Sequence, residues 1–164
     1  MMENAITKRS GHAVALVGWL ALCFAVAGIS GAFSANAITT WYAALVKPDF
    51  NPPNQLWGPI WTVLYIMMAV AAWMVWKSPG SRARTRALVL FCMQLALNLS
   101  WSAIFFTRHQ IGAALVEILL LWLAILATMM GFFTVRRDAA WLLIPYLAWV
   151  SFAGYLNWAI WKLN

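Results

Sequence analysis

Five apolar stretches dominate the chain, running approximately from 13 to 33, 57 to 77, 86 to 106, 111 to 135 and 139 to 161. A helix rising ~1.5 Å per residue needs about 20 residues to cross ~30 Å of hydrocarbon, and each stretch supplies that length. In lipid every backbone N–H and C=O must be bonded internally, which leaves helices or a closed barrel. The period-two alternation of barrel strands is absent. The expected fold is therefore all-α, an integral membrane bundle of five transmembrane helices forming a single domain over residues 1–164. Composition agrees: 65% of residues are hydrophobic and 9% charged, whereas soluble domains are about 25% charged. A globule of this size could not hide so much apolar surface from water.

The net charge of +7 does not point to nucleic acid, because the 11 Lys and Arg fall in short clusters between the spans. Lys8, Arg9, Lys77, Arg82, Arg84, Arg86, Arg136 and Arg137 share one side, and Lys47, Arg108 and Lys162 share the other. The positive-inside rule then puts the N-terminus in the cytoplasm and the C-terminus outside, in a bacterial cell membrane whose identity, inner or outer, stays open. The first stretch is longer than the ~7 to 15 residues of a signal-peptide core and reads as a span. Cys23 and Cys92 lie within spans, where a free thiol acts as a small buried hydrophobe.

The connection 34–56 is the one long link. From Trp41 to Leu56 it carries Lys47-Pro48-Asp49-Phe50-Asn51-Pro52-Pro53, and its prolines predict an ordered, stiff segment that acts as a lid. Pro59 suits the first turn of the second helix. Pro145 falls inside the fifth, where loss of the bond to the Trp141 carbonyl predicts a bend. Gly28 and Gly31 predict close approach of the first helix to a neighbour.

Twelve tryptophans are a large excess. Trp73, Trp76, Trp141, Trp158 and Trp161 fit the aromatic belt of a membrane protein. Others form faces: Trp57, Trp61 and Tyr65 recur every four residues, Asn98 and Trp101 are three apart, and Trp149, Ala153, Leu156 and Asn157 make a stripe. All three faces run toward the outer side. Gln94, Asn98 and Asn157 are expected inside the bundle, since an unbonded amide in hydrocarbon is costly. Two readings fit them: a pocket in which aromatic planes stack a flat conjugated ligand and a few amides orient it, or interhelical hydrogen bonding with no ligand. Glu117, the only acid well inside a span, reads as a protonated or hydrogen-bonded side chain facing a neighbouring helix. His12 and His109 lie outside the spans and make poor axial haem ligands. No zinc spacing, phosphate loop or nucleophile motif is present, so no metal site is expected.

Trp41-Tyr42, Lys47-Pro48-Asp49-Phe50-Asn51-Pro52-Pro53, Gly58-Pro59-Ile60-Trp61-Thr62 and Leu64-Tyr65 resemble the signature of the translocator protein family, also called tryptophan-rich sensory proteins or peripheral-type benzodiazepine receptors. Gln94-Leu95-Ala96-Leu97-Asn98 with Trp101, Phe105-Phe106, Ala114-Leu115-Val116-Glu117, Pro145-Tyr146-Leu147-Ala148-Trp149 and Leu156-Asn157 continue the resemblance through all five spans. It implies a five-helix membrane receptor or sensor, a homodimer in contact with membrane lipid. Its ligands would be porphyrins such as protoporphyrin IX and synthetic isoquinolines or benzodiazepines, with no obligatory cofactor. The implied pocket positions are Trp41, Trp61, Asn98, Trp101, Trp149, Ala153 and Leu156, to which the helical faces add Trp57 and Tyr65. A tetrapyrrole would be held by stacking and by contacts to its carboxylates. The resemblance also implies an alternative, light-dependent porphyrin degradation with Trp61 and Trp149 as catalytic candidates. Transport of tetrapyrroles or lipids is a third reading, weakened by the lack of broken-helix repeats. Two departures stand out: Ala113 replaces a tryptophan that covers the ligand in animal members, and Trp158 replaces the tyrosine of their sterol motif.

Overall fold

A computed structural model describes the backbone of residues 2–164 and the side chains of residues 11–164. The Lys8 and Arg9 side chains, expected as anchors, lie outside the described residues. The helices are α1 (Met2–Thr39), α2 (Trp41–Ala44), α3 (Asn54–Trp76), α4 (Arg82–Ser102), α5 (Ile111–Val135), α6 (Arg137–Trp141) and α7 (Ile144–Leu163). α4 runs on through a π-helical turn, Ala103–Thr107. Five segments are long and apolar enough to cross a membrane: Gly11–Thr39, Asn54–Trp76, Arg82–Thr107, Ile111–Val135 and Arg137–Leu163.

α1 packs on α3 and α4, α4 on α5, α5 on α7, and α3 on both α4 and α7, so the order around the bundle is α1, α3, α7, α5, α4. α1 is apolar on all sides yet mostly exposed, as a helix facing lipid along most of its circumference would be. The tightest seam is α4 against α5. There a Cβ on Gly131 would lie 3.3 Å from Ala87 Cα, and Phe91 stacks on Phe132 at 5.9 Å, within the ~4.5–7 Å of paired rings. This half of the core sits toward the basic end, where Lys77, Arg82, Arg84, Arg86, Arg136 and Arg137 cluster. The opposite, loop end carries the 34–56 connection.

Several local expectations need correction. α3 begins at Asn54, capped by Pro53, so Pro59 lies in its second turn and leaves the Gln55 carbonyl without its helical donor. Pro53 is extended (φ −56°, ψ 139°), and Asn54 to Leu56, read from the sequence as part of the connection, already belong to the helix. The fifth span is broken rather than bent: α6 stops at Trp141, Leu142 and Leu143 form a turn, and Pro145 sits in the first turn of α7, where a missing N–H costs little. The lid segment is shorter than 34–56, because α1 continues to Thr39 and α2 takes Trp41–Ala44, leaving 45–53 irregular. Gly28 and Gly31 make no close approach, since a Cβ at either would meet nothing within 4 Å. The close helix contact falls at Gly131 instead.

The irregular segment is tied down at three places. The Tyr42 hydroxyl donates to Asn51 Oδ1 at 2.7 Å. Lys47 Nζ donates to the Ala43 and Leu45 carbonyls, each at 3.1 Å. Asn164 brackets Val46, accepting its N–H and donating to its C=O, both at 3.0 Å.

Candidate functional site

A cavity of about 320 Å³ lies between α1, α3 and α4 in the loop-end half of the bundle. α3 contributes Asn54, Trp57, Gly58, Trp61, Thr62 and Tyr65, whose spacing of three and four keeps them on one helix face. α4 contributes Asn98, Trp101 and Ser102, and the π turn adds Phe106. α1 supplies Ala27, Ser30, Gly31, Ser34 and Ile38. From Tyr65 to Asn54 the cavity extends along roughly 16 Å of helix, at ~1.5 Å per residue. A smaller pocket of about 30 Å³ adjoins it, sharing Ile38, Asn54, Trp57, Trp101 and Phe106 and adding Tyr42, Phe105, Ala153, Leu156 and Asn157 among its walls.

The deep end is polar and tightly bonded. Tyr65 donates its hydroxyl to Asn98 Oδ1 at 2.6 Å, and Asn98 Nδ2 donates to the Tyr146 hydroxyl at 3.1 Å. Tyr146 in turn donates to Gln94 Oε1 at 2.9 Å. This chain joins α3, α4 and α7 through buried groups. Nearer the loop end, Trp101 Nε1 donates to Asn157 Oδ1 at 3.2 Å, and Asn157 Nδ2 donates to the Ile111 carbonyl at 2.9 Å. The amides bond the helices together, and Asn98 and Asn157 also line the cavities. Ser30 Oγ is the exception, a buried hydroxyl on the cavity wall without a partner.

The aromatic wall is built by helical spacing and one irregularity. Trp61 lies 5.7 Å from Tyr65 and 6.3 Å from Tyr146. In the π turn the Arg108 N–H reaches five residues back to the Ala103 carbonyl at 3.1 Å, and such turns are frequent at functional sites. It leaves Phe105 stacked on Trp101 at 5.2 Å and Phe106 edge-on to Trp101 at 5.9 Å.

The structure thus brings Trp57, Trp61, Tyr65, Asn98 and Trp101 together around the larger cavity, with Ala153 and Leu156 beside the smaller one. Trp41 and Trp149 line neither. Trp41 stacks on His109 at 4.2 Å and meets Phe105 edge-on; the plane offered to the smaller cavity is its neighbour Tyr42. Burial pushes the Tyr42 phenol up to about 12, against a smaller lowering from its bond with Asn51. Trp149 packs edge-on to Trp57 at 5.5 Å, and its buried Nε1 has no partner. Glu117 is buried away from both cavities and accepts from Ser100 at 2.9 Å. Among the described residues, no three His, Cys, Asp or Glu side chains are placed to hold a metal.

Sequence reasoning gave no role to Tyr146, the hub of the polar chain, nor to Ser30 and Ser34, and read Gly31 only as a packing contact. With Ala27 these three fall at i, i+3, i+4 and i+7 on one helix face, but Ala25, Gly28, Ala32 and Ala35 are small too, so side-chain size did not mark that face in the sequence.

The sequence profile of the TspO/MBR family matches residues 19–162, a range that includes every residue lining the two cavities. The chain is 44% identical over 146 residues to a tryptophan-rich protein TspO of Chlorobaculum tepidum, covering 88% of this chain and 92% of the relative. It is 44% identical over 126 residues to a translocator protein of Bos taurus, covering 76% and 75%. With a tryptophan-rich sensory protein of Cereibacter sphaeroides the figures are 38% over 124 residues, 76% and 77%. The aromatic cavity, the five spans and these similarities agree: this integral membrane protein belongs to the TspO/MBR family.

Proposed function

We propose that the protein is a membrane receptor or sensor that binds porphyrins, protoporphyrin IX among them, and other flat hydrophobic ligands in the cavity between α1, α3 and α4. One observation carries the reading: Trp57, Trp61, Trp101 and Phe106 wall a single elongated cavity whose deep end holds hydrogen-bonding groups. Stacking needs ring faces and orientation needs a few polar atoms, and both are present. The volume of about 320 Å³ is at the small end of the ~300–1,000 Å³ of ligand sites. α1 is the wall that moves outward for a larger ligand, since small residues face the cavity and little holds its outer side. The names sensory protein and translocator protein among the relatives support a ligand-responsive role. In this reading the loop end faces outward, as the charge asymmetry favours.

Quenching of tryptophan fluorescence by protoporphyrin IX tests it. Saturable quenching is expected, and Trp61→Ala, which removes a wall, weakens binding roughly tenfold. Quenching that never saturates, or an affinity untouched by Trp61→Ala, rejects the assignment.

A further inference from the structure

Among the described residues, none that lines either cavity carries a charge. A carboxylate inserted at the deep end would be buried with no cation beside it, and burying an unpaired charge costs far more than one hydroxyl returns. The groups there suit an uncharged edge. Tyr65 has its one proton committed to Asn98, and the Ser30 hydroxyl stands beside the Tyr65 oxygen without a bond of full hydrogen-bond geometry, so it can turn to a ligand edge.

Charge is available only at the other end of the cavity. Of the three cations on that side, Lys162 sits over Trp161 at 5.3 Å, against an exposed ring of α7, and Arg108 is exposed beyond the π turn. Lys47 is held differently. Its Nζ lies 5.0 Å from the ring centroid of Tyr42, and that ring lines the smaller cavity, which is continuous in its walls with the larger one. Two of its three N–H donors are taken by the Ala43 and Leu45 carbonyls, which fixes the ammonium in place and leaves one donor over.

We propose that Lys47 is the specificity-determining cation of this site: a flat ligand inserts an uncharged edge toward Ser30, and an acid group on its opposite edge pairs with the Lys47 ammonium at the loop end. The proposal rests on the reading of the cavity as a ligand site and adds a direction and a charge partner to it. A charge-assisted hydrogen bond from a pre-positioned ammonium discriminates the acid from its ester, whereas the neutral walls do not.

The test titrates the full-length protein in lipid nanodiscs with protoporphyrin IX and, separately, with its dimethyl ester. Lys47→Met is expected to weaken the free acid roughly tenfold more than the ester, the ester reporting an intact bundle together with whatever the loop loses with the two Lys47 bonds. Lys47→Arg, which keeps the charge, is expected to retain the preference for the acid, and Arg108→Met to leave both affinities unchanged. Equal losses for acid and ester in Lys47→Met, or a selective loss of the acid in Arg108→Met instead, would overturn the assignment to Lys47 while leaving the cavity as the ligand site. Failure of both probes to bind the wild-type protein saturably is a separate result and removes the ligand reading itself.

Discussion

The Tyr65 hydroxyl donates to Asn98 Oδ1 at 2.6 Å across the interface of α3 and α4, at the deep end of the cavity. The same amide donates onward to Tyr146 on α7, and Tyr146 to Gln94. Three helices therefore depend on one tyrosine that both accepts and donates. Tyr146→Phe leaves Gln94 Oε1 and one Asn98 donor unpaired in a buried site, a loss of about 1–2 kcal/mol. A lower midpoint in thermal unfolding is expected. Adding Gln94→Leu removes one of the orphaned partners, and recovery of part of the loss in the double variant is the diagnostic result; additive losses would show that the chain is not coupled.

Glycine positions separate cavity from seam. A Cβ on Gly31 meets nothing within 4 Å, whereas one on Gly131 would press on Ala87 backbone at 3.3 Å. Gly31→Leu is expected to fold with near wild-type stability and to block protoporphyrin binding by filling the cavity. Gly131→Leu is expected to destabilise the protein by overpacking α4 against α5, at about 1–3 kcal/mol or more. Unfolding midpoints and binding titrations on both variants check the contrast, and a stable, binding-competent Gly31→Leu would mean that ligand lies elsewhere.

Most of the fold was legible because lipid imposes one simple rule, a run of about 20 apolar residues per span. The face of Trp57, Trp61 and Tyr65 was legible for a similar reason: helical spacing alone puts them on one side. The failures share a cause, which is that they depend on geometry across elements. Pro145 starts a helix instead of bending one because regular helical bonding lapses into a turn at Leu142 and Leu143, just before it. Trp41 and Tyr42 are adjacent, and only the docking of α2 decides that the tryptophan meets His109 while the tyrosine meets the cavity. The extra residue in the turn after Ser102 carries no composition signal at all.

Tyr42 makes the loop end sensitive to alkali. Its phenol is raised from the ~10 of a free tyrosine to about 12 by burial, so the folded state favours the neutral, proton-donating form. The stabilisation is fully present below about pH 10 and is lost as pH rises through about 12. Wild-type protein is expected to lose order in the 45–53 segment over that window, seen as faster proteolysis there after a brief alkaline pulse. Tyr42→Phe lacks the ionisation, starts with a looser loop because Asn51 Oδ1 is unpaired, and shows a weaker pH dependence. Identical pH profiles for the two proteins would place the alkaline transition elsewhere.

The final prediction concerns the segment 45–53 as a lid. Its backbone is restrained by Pro48, Pro52 and Pro53 and clamped at Val46 by both polar atoms of the Asn164 side-chain amide. Little entropy is then lost when it closes over bound ligand, because restricted residues have few conformations to give up. Replacing Pro52 and Pro53 by Gly, or Asn164 by Ala, loosens the segment in two independent ways without touching the cavity walls. Both changes should speed ligand escape more than they slow capture, since affinity differences among related complexes lie mostly in dissociation. Stopped-flow fluorescence with protoporphyrin IX separates the two rates. Faster dissociation in both variants supports a lid; an unchanged off-rate in both, with the bundle still folded, means that the segment only braces α1 against α3.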